Sequence, residues 1–314
     1  MADRDAVRAR EVRAPDEAEV RRGRRSVRLT RLGLLFWRDE EIRKADLVEY
    51  YRAVAPVLVP HLRGRPFTFK RHYNGPRSPF EWVKDAPPEM PGWIAVAPLP
   101  ARSRGGAPVR YALVNDELAL LWAIEFGCVD LHVWISRADR PDRPDWVLFD
   151  LDPAGVPFAA VVRAAFLVRD ALTALGLEAV VKTTGGEGLH VQVPIERRHS
   201  YTEVRAFCNV VAGALVRAHG DLITTERSPR RRRGVFVDIK MNGHGQQVVS
   251  VYSVRPRPGA PVAAPLRWDE LDEDLDPRDL SMSAVLERVS RYGDLHAPLL
   301  TGRQRLDRAL KLLR

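Results

Sequence analysis

Apolar and polar positions alternate with two different periods along this chain, and the switches between them mark its elements. Leu47, Tyr50, Tyr51, Val54, Val57 and Leu58 recur at helical spacing between Lys44 and Leu62, and Gly64 ends the run. The same period predicts helices over Asn115 to Phe126, Pro157 to Leu175 and Thr202 to His219, the last with Phe207, Val210, Val211 and Leu215 as its apolar stripe. Runs rich in β-branched and aromatic residues predict strands at Arg65 to Gly75 (with its closing turn), Leu131 to Ile135, Val147 to Phe149 and Ala179 to Val181. Further strands are expected at Gly188 to Ile195, Gly234 to Met241 and Gln247 to Val254. Gly23 separates two short basic segments, Val20 to Arg22 and Arg24 to Leu29, which predicts a hairpin. Pro76 to Pro100, with Phe80 and Trp82 embedded in it, and Ser136 to Asp145 are expected to be loops. The order of elements predicts an α+β fold, with mixed and antiparallel central sheets flanked by helices. Residues 1–19 are charged and poor in large apolar side chains, so a disordered arm is expected there. Residues 20–300 are expected to form one domain and residues 301–314 a basic C-terminal helix.

The Val147–Phe149 strand runs straight into Asp150, Leu151, Asp152 and Pro153. Pro153 is expected to end the ladder. Strand alternation sends Asp150 and Asp152 off one face, and two carboxylates so close repel unless a cation lies between them. Hard divalent ions that take oxygen ligands, Mg²⁺ or Mn²⁺, suit such a pair; a polar strand end or a helix N-cap is the plainer alternative. Asp238 falls inside the run Val235 to Ile239, where an unpaired carboxylate is costly and needs an arginine, backbone donors or a metal. If its strand lies beside the first, three carboxylates converge as a two-metal phosphoryl-transfer site requires.

Thr184-Gly185-Gly186-Glu187-Gly188-Leu189-His190 concentrates glycines that let backbone N–H groups turn toward a phosphate. It is neither a Walker A loop nor a dinucleotide-binding turn, and a simple strand connection explains it equally well. His132 and His190 stay open between phosphate donors and structural histidines. Arg255 and Arg257, at a strand end, suit a triphosphate clamp. The loop Arg227 to Arg233, with Arg65, Lys70, Arg71 and Arg77, offers a phosphate-tracking surface, with Phe80 and Trp82 as platforms for bases. A solvated basic surface is the alternative.

Composition narrows the partners. The 314 residues are 45% hydrophobic, enough for a substantial core, and carry a formal charge of +9, which favours a polyanion. Only six of the 50 basic residues are lysine, a bias that suits phosphate contacts but also follows from a GC-rich genome. No apolar run approaches a membrane span or a signal peptide. Cys128 and Cys208 each sit in an apolar run and match no zinc spacing, so buried free thiols are expected.

Several segments together resemble the polymerase domain of bacterial ATP-dependent DNA ligase D, in the archaeo-eukaryotic primase superfamily. They are Leu47-Val48-Glu49-Tyr50-Tyr51, Gly64-Arg65-Pro66, Lys70-Arg71, Asp130-Leu131-His132-Val133, Phe149-Asp150-Leu151-Asp152-Pro153, Gly188-Leu189-His190, Val235-Phe236-Val237-Asp238, Tyr252-Ser253-Val254-Arg255 and Gly259-Ala260-Pro261-Val262. The resemblance covers roughly residues 20 to 300. It implies a ribonucleotide-tolerant, template-dependent polymerase that adds NTP or dNTP to a primer 3′-hydroxyl with two divalent ions, Mn²⁺ or Mg²⁺. Its substrates would be primer–template DNA at gaps or broken ends in non-homologous end joining, in the cytoplasm at the nucleoid and away from membranes. Ku and a separate DNA ligase are implied partners.

By position, the resemblance makes Asp150, Asp152 and Asp238 the catalytic, metal-binding carboxylates. It puts His132, Thr184, His190, Arg231 and Arg255 on the incoming nucleotide. Lys44, Lys70, Arg71 and Trp82 would contact DNA: Lys44 in a 5′-phosphate pocket, and Trp82 on the template where a phenylalanine is common. Two departures stand out. Leu34 replaces the first lysine of that pocket, and Glu187 replaces a lysine near the triphosphate. Thr184 replaces a serine. No Lys-x-Asp-Gly ligase motif occurs, so a stand-alone relative is expected, with sealing done elsewhere. A metal-dependent phosphohydrolase or nucleotide-sugar transferase using the Asp-x-Asp is one alternative. The phosphohydrolase expects Thr or Val soon after the second Asp, where Pro153-Ala154-Gly155 stands. The other is a DNA-end-binding relative with decayed catalysis, motivated by Leu34 and Glu187 and opposed by the three aspartates.

Overall fold

The computed structural model describes residues 16–100 and 105–312, and two six-stranded sheets organise them. The first runs in the order Ile223–Thr224, Gly234–Asp238, Trp146–Ala154, Leu189–Pro194, Val180–Thr183 and Pro265–Leu266. Its neighbours are antiparallel except for the first pair. The second is antiparallel and runs Val248–Val249, Cys128–Val133, Pro66–His72, Pro108–Leu113 and Val96–Pro100, with Phe80–Val83 paired to Pro66–His72. This is the expected α+β architecture.

The central acidic strand, Trp146–Ala154, shows why the layers form. Val147, Phe149 and Leu151 are fully buried on the face covered by the helices Phe158–Ala174 and Tyr201–Ala218, and the Phe149 and Phe207 rings lie 6.4 Å apart. Each such side chain contributes about 1.5–3 kcal/mol by leaving water. The alternate residues Trp146 and Leu148 pack with Ile135, Tyr201 and Val248, toward the second sheet. The helix Tyr201–Ala218 opens on a capping box between Ser200 and Glu203, which satisfies its first free N–H groups. On the far side, the helix Lys44–Leu62 has the predicted bounds, and its Tyr51 hydroxyl donates to the Val129 carbonyl (2.6 Å) and accepts from the Val254 N–H (3.0 Å). That hydroxyl ties helix, second sheet and C-terminal segment together.

Several expectations change. Most of the charged arm lies outside the described residues, but Ala18–Arg22 pairs with Arg25–Leu29 as the hairpin's first strand because Val20 buries opposite Val27. The proline-rich stretch holds two strands, Phe80–Val83 and Val96–Pro100, both at a sheet edge where proline's missing donor does little harm. Pro153 does not end its strand: pairing with Leu189–Pro194 stops at Leu151, while pairing with Gly234–Asp238 continues through Pro153 to Ala154. Gly234–Asp238 is shorter than expected and turns into a 3₁₀ segment, Ile239–Asn242, and of the next predicted strand only Val248–Val249 forms a ladder, with Val254 in an isolated bridge to Val262. Val210 is 39% exposed; the buried stripe of its helix is Val204, Phe207, Cys208, Val211, Ala212 and Leu215. The C-terminal helix, Asp307–Leu312, is no appendage, since Leu306 and Ala309 enter the main core. Cys128 and Cys208 are free and buried, as expected. Among the described residues, no helix is long and apolar enough to cross a membrane.

Arg65 leaves the expected DNA surface altogether. It is buried and bidentate to Asp145 (2.8 Å for each bond), which also accepts from Arg137 Nε at 3.1 Å. Asp145→Asn strands two guanidinium groups, and the unfolding free energy in urea is expected to fall by about 3–5 kcal/mol. A loss below about 1 kcal/mol would mean that the pair is solvated in solution.

Candidate active site

The register of the first sheet lines up a row of ionisable side chains. Asp150 lies opposite Asp238 on one neighbouring strand and opposite His190 on the other, and His190 lies opposite Lys182 on the next. Asp152, two residues on, shares that face. The His190 Nε2 is 3.2 Å from Asp150 Oδ1 but is not aligned to donate, so this buried oxygen has no hydrogen-bond donor. Asp238 stands at its strand's end, not inside the run, and accepts from the Lys240 N–H at 2.8 Å. The Asn242 amide then completes the ladder, accepting from Leu148 N–H (2.9 Å) and donating to Leu148 O (2.6 Å).

Burial dominates the electrostatics of the row. It pushes the Asp150 carboxyl up to about 6 against the pull of Lys182 and Arg255. Asp152, exposed at the mouth of the row, is pushed up to about 7 by partial desolvation and then by repulsion from Asp150 and Asp238. The same burial, with Arg255, brings Lys182 down to about 7. Attraction between Asp150 and Lys182 therefore does not make good the loss of solvation. His190 is held neutral by burial, Lys182 and Arg255. Among the described residues no three acid, imidazole or thiol groups form a ready-closed metal cage. The carboxylates do fit a hard cation: their donors are all oxygen, one lacks any donor partner, and their mutual repulsion is what a cation would relieve.

The row opens into a cavity of about 220 Å³ where the two sheets meet. Asp150, Asp152 and His190 line it from the first sheet, and His132 from the second; Thr184, Gly186, Arg255 and Arg257 line it as well. Two glycines let the loop after Thr184 press against Asp152 and Arg255. Gly185 has φ +67°, and a Cβ there would lie 2.5 Å from Arg255 Cγ; one on Gly188 would lie 2.6 Å from Leu151 O and 3.0 Å from Asp152 Oδ1. Arg255 Nη1 in turn donates to Thr184 O at 2.9 Å. Glu187 is exposed in a separate cleft with Asp276 and Arg278, so it does not face this cavity. A larger groove of about 1030 Å³, beside Arg205 and Lys240, does not contain Asp150, Asp152 or Asp238.

The second sheet brings a polar cluster to the same place. Lys70 and His72 on one strand, and Asp130 and His132 on its neighbour, are buried at alternate positions. Lys70 Nζ lies 4.5 Å from the Phe80 ring centroid and 5.8 Å from that of Trp82. Trp82 meets His132 edge-on at 4.9 Å. Phe80 and Trp82 are about half exposed, so they form an aromatic shelf beside the cavity. Arg71 lies over Tyr73 and Phe126, at 4.7 and 4.0 Å from their ring centroids.

Other expected residues do not reach the site. Lys44 is buried, its ammonium bound to Thr30 O (2.9 Å) and Glu125 Oε2 (2.5 Å), and is therefore no free phosphate ligand. Arg231 points into solvent beside Glu226 at 3.2 Å and does not line the cavity; Arg232, over the Phe236 ring, is the loop arginine whose charge acts on Asp152. Asp130 and Lys182 were missed as site residues. A lone charge at an inward position of an otherwise apolar strand was the available signal for both.

Comparison with known proteins follows this geometry. The family model described as "LigD, primase-polymerase domain" matches residues 43–296. The multifunctional non-homologous end joining protein LigD of Mycolicibacterium smegmatis is 33% identical over 277 residues, 87% of this chain and 36% of that protein. Its Pseudomonas aeruginosa namesake is 32% identical over 273 residues, 85% of this chain and 32% of its own. The chain thus spans about a third of the length of these curated relatives. A solved polymerase domain from Mycobacterium tuberculosis ligase D, in complex with DNA, superposes with a TM-score of 0.83 at 31% identity, covering 88% of this chain and 99% of that one. In fold, in sequence and across most of its length, this chain belongs to the LigD primase-polymerase domain family.

Proposed function

We propose that this chain is a template-dependent nucleotidyltransferase that extends primer 3′ ends in non-homologous end joining or gap filling. The observation that carries the reading is the antiparallel register that sets Asp238 opposite Asp150, with Asp152 on the same face at the mouth of an arginine-lined cavity. Asp150, Asp152 and Asp238 are the residues that would hold divalent ions. Bound there, Mn²⁺ or Mg²⁺ would supply neutralising charge and lower the pKa of the attacking hydroxyl. Arg255 and Arg257 bind the triphosphate, with backbone N–H groups of the glycine loop, Thr184 and the imidazoles of His132 and His190 close by. Lys70, Trp82 and Phe80 receive the template base, and Arg71 lies next to them on the DNA side. The reaction is attack of the primer 3′-hydroxyl on the α-phosphate of an NTP or dNTP, with pyrophosphate leaving. Ku and a DNA ligase, in the same or another chain, would complete the repair. The DNA-bound state of the similar Mycobacterium tuberculosis domain supports DNA as the partner.

Asp150→Asn and Asp152→Asn are each expected to lower extension of a primed template by at least about a hundredfold while leaving DNA affinity within a few-fold. Extension that survives either change refutes the assignment of the acids.

Ions must displace the protons held by Asp150 and Asp152. Both carboxyls are raised, so protons compete as pH falls through about 7 and about 6. Mn²⁺ is therefore expected to raise the thermal midpoint clearly at pH 8 and scarcely at pH 5.5, and a shift independent of pH contradicts this.

Because Leu34 is apolar and Lys44 is engaged by Glu125, gapped substrates with and without a 5′-phosphate should be extended at rates within about twofold. A strong preference for the phosphorylated gap would mean that other cations form that pocket.

A further inference from the structure

Asp130 is the one carboxylate at the centre of the second-sheet cluster, and it touches both halves of the proposed site. Its side chain is fully buried. Oδ2 lies 3.1 Å from Lys70 Nζ, 2.9 Å from His132 Nε2 and 3.6 Å from Arg255 Nε, and Oδ1 lies 3.8 Å from His72 Nε2. Burial alone would raise its pKa, but His132, His72 and Arg255 hold it well below the usual carboxylate range. It is ionised at every working pH and cannot donate, so the hydrogen bond from His132 Nε2 sets that ring's orientation. His132 and Arg255 line the nucleotide cavity, whereas Lys70 lies under Phe80 and Trp82. Lys70 and His132 hydrogen-bond Asp130 Oδ2, while Arg255 Nε, His132 Nδ1 and Asp130 Oδ1 are buried without hydrogen-bond partners, which leaves the cluster room to tighten around a ligand.

We propose that Asp130 is a positioning residue that couples the two halves of the site: a base stacked on the Trp82 shelf shifts Lys70, and through Asp130 this aligns His132 and Arg255 on the incoming nucleotide. The proposal rests on the polymerase reading and deepens it. Its physical basis is that one buried anion shared by cations cannot move relative to one of them without changing its interaction with the others. An Asn at this position keeps the shape and removes the charge, so the cations on the two sides are no longer held to a common centre.

The test measures nucleotide affinity with and without a primer–template whose next base is complementary. The primer carries a dideoxy end so that binding is read without chemistry. In the wild type, the matched template is expected to tighten nucleotide binding about fivefold or more. In Asp130→Asn that factor should fall toward one, whatever the change in the affinity of each ligand alone. Asp130→Glu, which keeps the charge, should restore part of the coupling. Lys70→Gln, which cuts only the template arm, should lose it even if Asp130→Asn fails to fold. Equal coupling in wild type and Asp130→Asn, unchanged coupling in Lys70→Gln, or no coupling in the wild type overturns the proposal. Failure of the polymerase reading is seen separately, as absence of templated addition by the wild type on an ordinary primer.

Discussion

Like charges held side by side on one sheet face are the constraint on which the rest of the molecule depends. Asp150, Asp152 and Asp238 share the open face of a sheet whose other face is sealed by two helices, so register keeps them together where the cavity meets solvent. Antiparallel pairing through Leu151 and Val237 fixes that geometry, and the helix side makes it rigid: Val147, Phe149 and Leu151 cannot slip by one residue without exposing the apolar set and burying the acids. Strand register thus does what a metal-binding loop does elsewhere. It stores repulsion that a multivalent cation would relieve.

The buried cations of this arginine-rich chain divide by their hydrogen-bond partners into two kinds with different physical roles. Arg65 and Lys44 are enclosed and matched to Asp145 and Glu125, so they are structural elements despite their charge. Lys70, Arg255 and Lys182 are also enclosed but lie at or beside the cavity, near Asp130 and Asp150. A buried cation with a fully engaged partner is a brace. One with a donor left unpaired, as Arg255 Nε is, is positioned to meet a further anion, such as the nucleoside triphosphate proposed above.

The aromatic shelf explains how a shallow edge strand takes part. Phe80–Val83 is short and at a sheet edge, features that normally mark a dispensable ribbon. Here its Phe80 and Trp82 lie above Lys70, and the ammonium held below them makes the ring faces attractive to a further π-system rather than mere exposed apolar surface.

Much was legible in the sequence because it depends on local periodicity. The helix Lys44–Leu62, the strand leading into Asp150 and Asp152, and the hairpin at Gly23 follow from spacing alone, and alternation was enough to set those two acids on a common face. The pairing of Asp150 with Asp238 stays conditional in the sequence, because nothing in one strand specifies its neighbour. Only the tertiary structure decided which charges are inside. Arg65, Lys44 and Arg231 look alike in sequence, yet two are buried on distant carboxylates and the third faces solvent, since an ion pair forms between positions about 80 residues apart that only folding brings together. The role of Asp130 is hidden for the same reason: besides His132 on its own strand, its partners Lys70, His72 and Arg255 lie on two distant segments, and a carboxylate's role is set by the cations that surround it.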